Sequence, residues 1–287
     1  MPERKSVPLR VGLYVLLTFA FSAYFEYRII RAGHLDLAGR WVVGLMWCPA
    51  AAALVASLLT RRRLSDIGWR WSWRYAGLAY AIPVAYALVA YGATWALGLG
   101  RLPDPVFAGT ILLRFGPGSA AAAFGKFLVL QATAGVAFSC LTALGEEIGW
   151  RGFLVPELAR RSSLPRVALV SGAVWAVWHW PLLLFADYNG GTRPGYSLAC
   201  FTVLVLGIAF VFAWIRLASG SVWPAAILHA SHNLWIQEVF DPLTGNTGPT
   251  PWITGEFGAA LALVAVPAAW FAWRAARRLA PVEGAFA

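Results

Sequence analysis

Ser197–Ile215 reads SLACFTVLVLGIAFVFAWI, a run without a single charged side chain. At about 1.5 Å per residue, a helix of this length covers the ~30 Å hydrocarbon core of a bilayer. The run is continuous rather than alternating, so it reads as a helix and not as a barrel strand. Seven more segments share its character: roughly Val11–Phe25, Trp41–Leu59, Tyr75–Leu97, Phe127–Gly145, Val167–Phe185, Val222–Phe240 and Gly258–Trp273. The expected fold class is therefore all-α, a polytopic membrane helix bundle of about eight transmembrane helices.

The composition agrees. Of 287 residues, 60% are hydrophobic and 13% charged, whereas soluble domains carry about a quarter charged residues. The net charge of +10 comes from short basic clusters between apolar spans, not from a basic stripe with interleaved aromatics. That pattern belongs to membrane topology and argues against a nucleic-acid partner. Cys48, Cys140 and Cys200 lie in apolar runs at wide spacing, so they read as buried small hydrophobes rather than as disulfides or metal ligands. The first span follows a basic N-terminus, but no small-x-small cleavage site follows it, and it is read as retained.

Most of the 23 Lys and Arg residues fall in connections that lie on one side if the N-terminus is inside. Among them are Arg61, Arg62, Arg63, Arg160, Arg161 and Arg277. This asymmetry predicts both termini in the cytoplasm, in a protein of the cell inner membrane with lipid around it. Residues 1–135 are expected to form N-terminal helices and linkers, 136–235 a functional core, and 236–287 an external loop and final helix. Leu102–Gly125 is expected to be an outer loop or a shallow interfacial segment, and Asp241–Gly255 an external loop rich in Pro, Gly, Thr and Asn. Trp41, Trp71, Trp73, Trp223 and Trp273 read as interfacial belt residues. No internal repeat of the kind common in transporters is visible.

An ionisable side chain near mid-bilayer costs roughly 2.5–3.5 kcal/mol, so polar residues inside the spans require a reason. Three clusters stand out: Glu146-Glu147-Ile148-Gly149-Trp150-Arg151, then Trp175 to His179, then His229 to Asn233. Glu147 and Arg151 share a helix face at i,i+4 and form an ion pair in the favourable order. Glu146 is rotated by about 100° from Glu147 and is left, in a water-poor cavity, as the carboxylate suited to take a proton from water. His179 can hold the same water. His229 and Asn233, also at i,i+4, can donate hydrogen bonds to a developing oxyanion. Taken singly, the charged residues read as a solvated helix end and the histidines as packing residues; taken together they read as acyl-transfer chemistry. Trp175 and Trp178 are expected to be packing aromatics, His34 a solvated residue of a connection, and His232 is left outside the set. The depths match poorly, because Glu146 sits near the end of a helix Phe127–Gly145. The three clusters meet if that helix is tilted or continues past Arg151.

At these residues the sequence resembles the CPBP family, which groups CAAX prenyl endopeptidases with bacteriocin-processing and abortive-infection proteins. GEEIGWRGFL matches its EExxxR motif, Trp175 to His179 its FxxxH motif with Trp in place of Phe, and His229 to Asn233 its HxxxN motif. The resemblance covers roughly Val136–Trp235. It implies an intramembrane endopeptidase open toward the cytoplasm, in which Glu146 and His179 activate water, His229 and Asn233 form the oxyanion hole, and Glu147 and Arg151 hold the site together. The implied substrate is a peptide or protein tail, lipidated or a leader peptide. Zinc on Glu146, His179 and His229 is the competing cofactor. The three come from separate helices without a short-spaced ligand pair, and Asn233 suits an oxyanion, so no cofactor is favoured. A non-catalytic immunity or peptide-binding scaffold protein is the alternative function, and a transporter a distant third. Reporter fusions at the two termini are expected to read cytoplasmic at both ends; a C-terminus read outside would overturn the topology.

Overall fold

With no water in the hydrocarbon core, each backbone N–H and C=O must find its partner within the protein, and helices satisfy this segment by segment. The computed structural model describes residues 2–33, 38–116 and 118–278, and all of its regular elements there are helical. His34 lies outside the described residues. The long helices are α1 (Pro2–Ala32), α2 (Gly39–Leu59) and α3 (Trp73–Ala96). A short helix α4 (Pro105–Phe115) precedes α5, continuous over Ala120–Ala159. Then come α6 (Leu164–Phe185), α7 (Pro194–Ser219) and α8 (Trp223–Asn233). A π-helical segment (Leu234–Phe240) and a helical turn (Asp241–Leu243) prolong α8, and α9 (Ala259–Ala276) is the last helix among the described residues.

Among the described residues, seven helices are long and apolar enough to cross a membrane: α1, α2, α3, α5, α6, α7 and α9. This is an integral membrane protein. The remaining expected span, Val222–Phe240, is also helical, but it carries His229, His232, Gln237 and Glu238 and is less apolar than the others. The helices pack as a ring in the order α1, α2, α5, α8, α3, α9, α7, α6, which closes on α1.

Two expectations are corrected. The fourth span is not Phe127–Gly145 but the 40-residue helix Ala120–Ala159. Glu146 therefore lies 13 residues, about 20 Å, from the helix end, and the mismatch of depths disappears. Residues 102–125, expected as an outer loop or a shallow interfacial segment, contain α4 and the first turns of α5 and so are not a loop. These pack as a hairpin around Ile111, Phe127 and Leu243. Asp104 caps α4 by accepting a hydrogen bond from Phe107 N at 2.9 Å, and Pro105 opens the helix.

Helix α5 survives Gly, Pro and charge because its partners accommodate them. A π turn, Trp150–Leu154, follows the Glu146-Glu147 pair and alters the carbonyl ladder. Arg216 Nε donates to Arg151 O at 2.8 Å and Arg62 Nη2 to Gly152 O at 3.0 Å. Arg62 Nε also pairs with Glu157 at 3.0 Å, both side chains being buried. Close approach is made possible by glycine, as is common between membrane helices. A Cβ on Gly149 would fall 2.5 Å from both Pro49 Cβ and Tyr14 Oη. Gly149→Ala is accordingly expected to lower stability by about 1–3 kcal/mol through overpacking. Gly77→Ala, where a Cβ meets nothing within 4 Å, should be neutral or stabilising; thermal unfolding in detergent compares the two.

Candidate active site

The ring encloses a cavity of about 200 Å³ lined by Glu146 of α5, Trp175 and His179 of α6, Phe212 of α7, and His229 and Asn233 of α8. Residues from three separate sequence clusters thus reach one space. Their positions follow from the helix period and from a small number of specific contacts.

On α5, the two adjacent carboxylates face different partners. Glu147 Oε1 accepts from Arg151 Nη1 at 2.8 Å, one turn along its own helix, and from His229 Nδ1 at 2.8 Å across to α8. Glu147 and Arg151 are fully buried, which overturns the reading of these charges as a solvated helix end. The Arg151 guanidinium lies 4.2 Å from the Trp175 ring centre and 3.8 Å from that of Phe212, so it is held by cation–π contacts from α6 and α7 as well as by the carboxylate. Glu146 is turned away from this pair. Its Oε2 accepts from Trp150 Nε1 at 3.2 Å and Trp175 Nε1 at 2.9 Å.

On α6, His179 is half-buried, and its Nδ1 donates to Trp175 O at 2.9 Å. A ring nitrogen facing a carbonyl must carry the proton, so the neutral ring has its lone pair on Nε2. Trp178 packs edge-on against this imidazole at 4.7 Å and Phe201 tilts over it at 5.0 Å. On α8, His229 uses Nδ1 toward Glu147 in the same way, and Asn233 lies one turn further along, at the cavity wall.

The structure adds groups that the sequence did not point to. Trp175 is a packing aromatic as expected, but its N–H also reaches Glu146, a contact that Phe could not make. His232 lines the same cavity with both ring nitrogens engaged, one by the Tyr86 hydroxyl and Nε2 by Glu256 Oε1 at 2.8 Å. Glu256 in turn accepts from Tyr188 Oη at 3.1 Å and Gln237 Nε2 at 3.0 Å. This carboxylate follows the stretch read as an external loop. That stretch folds back onto the bundle: Tyr91 Oη donates to Asp241 and accepts from Gly255 N at 3.1 Å. An acid between Gly255 and Phe257 gave no spacing signal, since its partners lie 19 to 68 residues away.

Zinc is the other use this donor set suggests. Among the described residues no group of three or more His, Cys, Asp or Glu is placed to hold a metal ion. Of the three candidate ligands, Glu146 Oε2 is taken by two indoles, His179 Nδ1 by a carbonyl and His229 Nδ1 by Glu147; these contacts engage one atom of each side chain and orient the rest.

Comparison with known proteins falls on the same residues. Residues 128–235 match the family model of the Type II CAAX prenyl endopeptidase Rce1-like proteins. A relative from Methanococcus maripaludis, CAAX prenyl protease 2, is 30% identical over 101 residues, which is 33% of this chain and 36% of the relative. The chain therefore spans about a third of the length of the curated relative it matches. The matched stretch contains all three motifs and every side chain of the cavity's Glu146, His179, His229 and Asn233 set, so residues 128–235 carry an Rce1-like segment and the resemblance to the CPBP family holds.

Proposed function

We propose that this chain is an intramembrane endopeptidase that hydrolyses a peptide bond with a water activated by Glu146 and His179. The observation that carries the reading is the convergence of Glu146, His179, His229 and Asn233 on one cavity. The water sits between the Glu146 carboxylate and His179 Nε2. Glu146 takes its proton as the water oxygen bonds to the peptide carbonyl carbon. The oxyanion that forms accepts hydrogen bonds from the Asn233 carboxamide and from His229. In its doubly protonated form, His229 pairs Nδ1–H with Glu147 and offers Nε2–H to the cavity. Glu146 then passes its proton to the amide nitrogen as the C–N bond breaks, which restores the carboxylate. No step passes through a metal.

The substrate in this reading is a peptide or protein tail that enters from the cytoplasmic face of the cell inner membrane, as in CAAX proteases. Glu147 and Arg151 act on structure rather than on the substrate, because both are buried behind the cavity wall.

Glu146→Gln keeps the shape and removes the base. It is expected to fold normally and to abolish cleavage, read as new peptide termini by mass spectrometry of cells expressing wild type or variant. Identical termini in the two would favour the peptide-binding scaffold instead. Asn233→Ala should lower kcat by about 10²–10³, the scale of one oxyanion donor. Glu147→Gln should behave differently from Glu146→Gln. It strips a buried cation of its partner, so thermal unfolding should show a loss of about 3–5 kcal/mol; equal stability in the two variants would contradict the division of roles.

A further inference from the structure

We infer that Trp175 and Trp150 are positioning residues for the water-activating pair, with Trp175 joining Glu146 to His179. The inference rests on the proposed role of Glu146 and deepens it.

Both indole N–H groups converge on the same oxygen, Glu146 Oε2, from 2.9 Å and 3.2 Å. Oε1 is thereby the oxygen that no indole engages, and the carboxylate plane is fixed between α5 and α6. Trp175 makes a second contact of the same kind: its carbonyl accepts from His179 Nδ1. One residue thus orients the base through its side chain and the histidine through its backbone. That carbonyl contact also sets the tautomer that leaves Nε2 to hold water.

Neither ring is free to turn. Trp150 is 1% exposed and packs edge-on against Tyr14 and Trp178. Trp175 is 4% exposed, packs against Phe212 and His229, and carries the Arg151 guanidinium on its face. Indole is a donor only and stays neutral. It can direct a carboxylate without offering it a proton.

The ionisable groups that face Glu146 include Glu147 and Arg151 on α5, Tyr14 on α1, His179 on α6, Tyr188 after α6 and His229 on α8. Glu256 lies on the far side of the same cavity. Trp175→Phe changes none of them. It keeps an aromatic ring and the carbonyl, restores the residue of the FxxxH pattern, and removes the N–H together with part of the ring that packs against Phe212 and His229. The charge-assisted hydrogen bond that holds Glu146 Oε2 from α6 is lost, so the carboxylate is less firmly oriented.

The test compares wild type, Trp175→Phe and Trp150→Phe in detergent, using peptide cleavage kinetics and the infrared carboxylate stretch of Glu146, assigned by subtracting Glu146→Gln. The expected result for Trp175→Phe is a kcat about tenfold lower at unchanged KM, with the Glu146 carboxylate band displaced from its wild-type position. Trp150→Phe should show the same direction with smaller size, and it serves as the second variant should Trp175→Phe fail to fold. An unmoved carboxylate band in a folded variant overturns the inference, and so does a fall in activity without a band shift, which would mark a packing role. The infrared arm needs no turnover. A shifted band in a protein that cleaves nothing would support the indole contact while overturning the peptidase reading.

Discussion

The buried Glu147 carboxylate is the contact on which the arrangement of the cavity depends. Removing a carboxylate and a guanidinium from water costs several kcal/mol per ion even after relaxation, and a membrane-spanning helix has no solvent nearby to reduce that cost. Glu147 meets it with two charge-capable donors, Arg151 along α5 and His229 across to α8. The geometry that results is restrictive. With Glu147 aimed at α8, the 100° step of the helix aims Glu146 toward α6, where Trp175 meets it. The guanidinium, packed between the rings of Trp175 and Phe212, brings α6 and α7 into the same register. One ion pair therefore sets the rotation of four helices around the cavity.

That pair would be of little use on a helix that frayed there. The π turn after Gly149 leaves carbonyls in need of donors, and two arginines from outside α5 supply them. Arg62 reaches in from the connection after α2, and Arg216 from the last turn of α7, where it also donates to Asp66 O and Ile67 O. Glu157 balances the charge, accepting from Arg62 at 3.0 Å with Arg10 at 3.6 Å. This end of the bundle is thus closed by an ion network, while the cavity lies further along the same helices. Another π-helical segment, Leu234–Phe240, begins directly after Asn233. Both polar clusters that α5 and α8 bring to the cavity accordingly sit against an irregularity in their helix, as is frequent at functional sites.

The sequence made the fold class legible because lipid imposes one backbone solution and a minimum apolar length. It made the Glu146, His179, His229 and Asn233 set legible because polar residues in such spans are costly and because i,i+4 spacing assigns faces. What it hid has physical causes. The extension of α5 to Ala159 passes through Pro156 and Glu157, which locally read as a stop. The proline follows a π turn where the regular ladder is already altered, and the acid is neutralised by arginines about 95 and 147 residues away in sequence. Glu256 was hidden for the same reason: its donors are tertiary. His232 could not be assigned because a histidine i+3 from His229 can share its face or turn to another neighbour. Here it turns to Tyr86 and Glu256, partners that no local pattern reveals.

Two neighbouring carboxylates in one cavity wall come to differ because their donors differ in kind. Glu147 is held by a guanidinium and an imidazole and serves as a fixed anion behind the cavity wall. Glu146 is held by two indoles, neutral donors that engage one of its oxygens and cannot give it a proton. Exchanging the two environments would leave composition and helix packing nearly unchanged, yet it would place the ion-paired carboxylate in the cavity and the indole-bound one behind the wall. The choice of tryptophan at 150 and 175 is therefore a chemical matter as much as a packing one: a basic side chain at either position would tie Glu146 into a second ion pair.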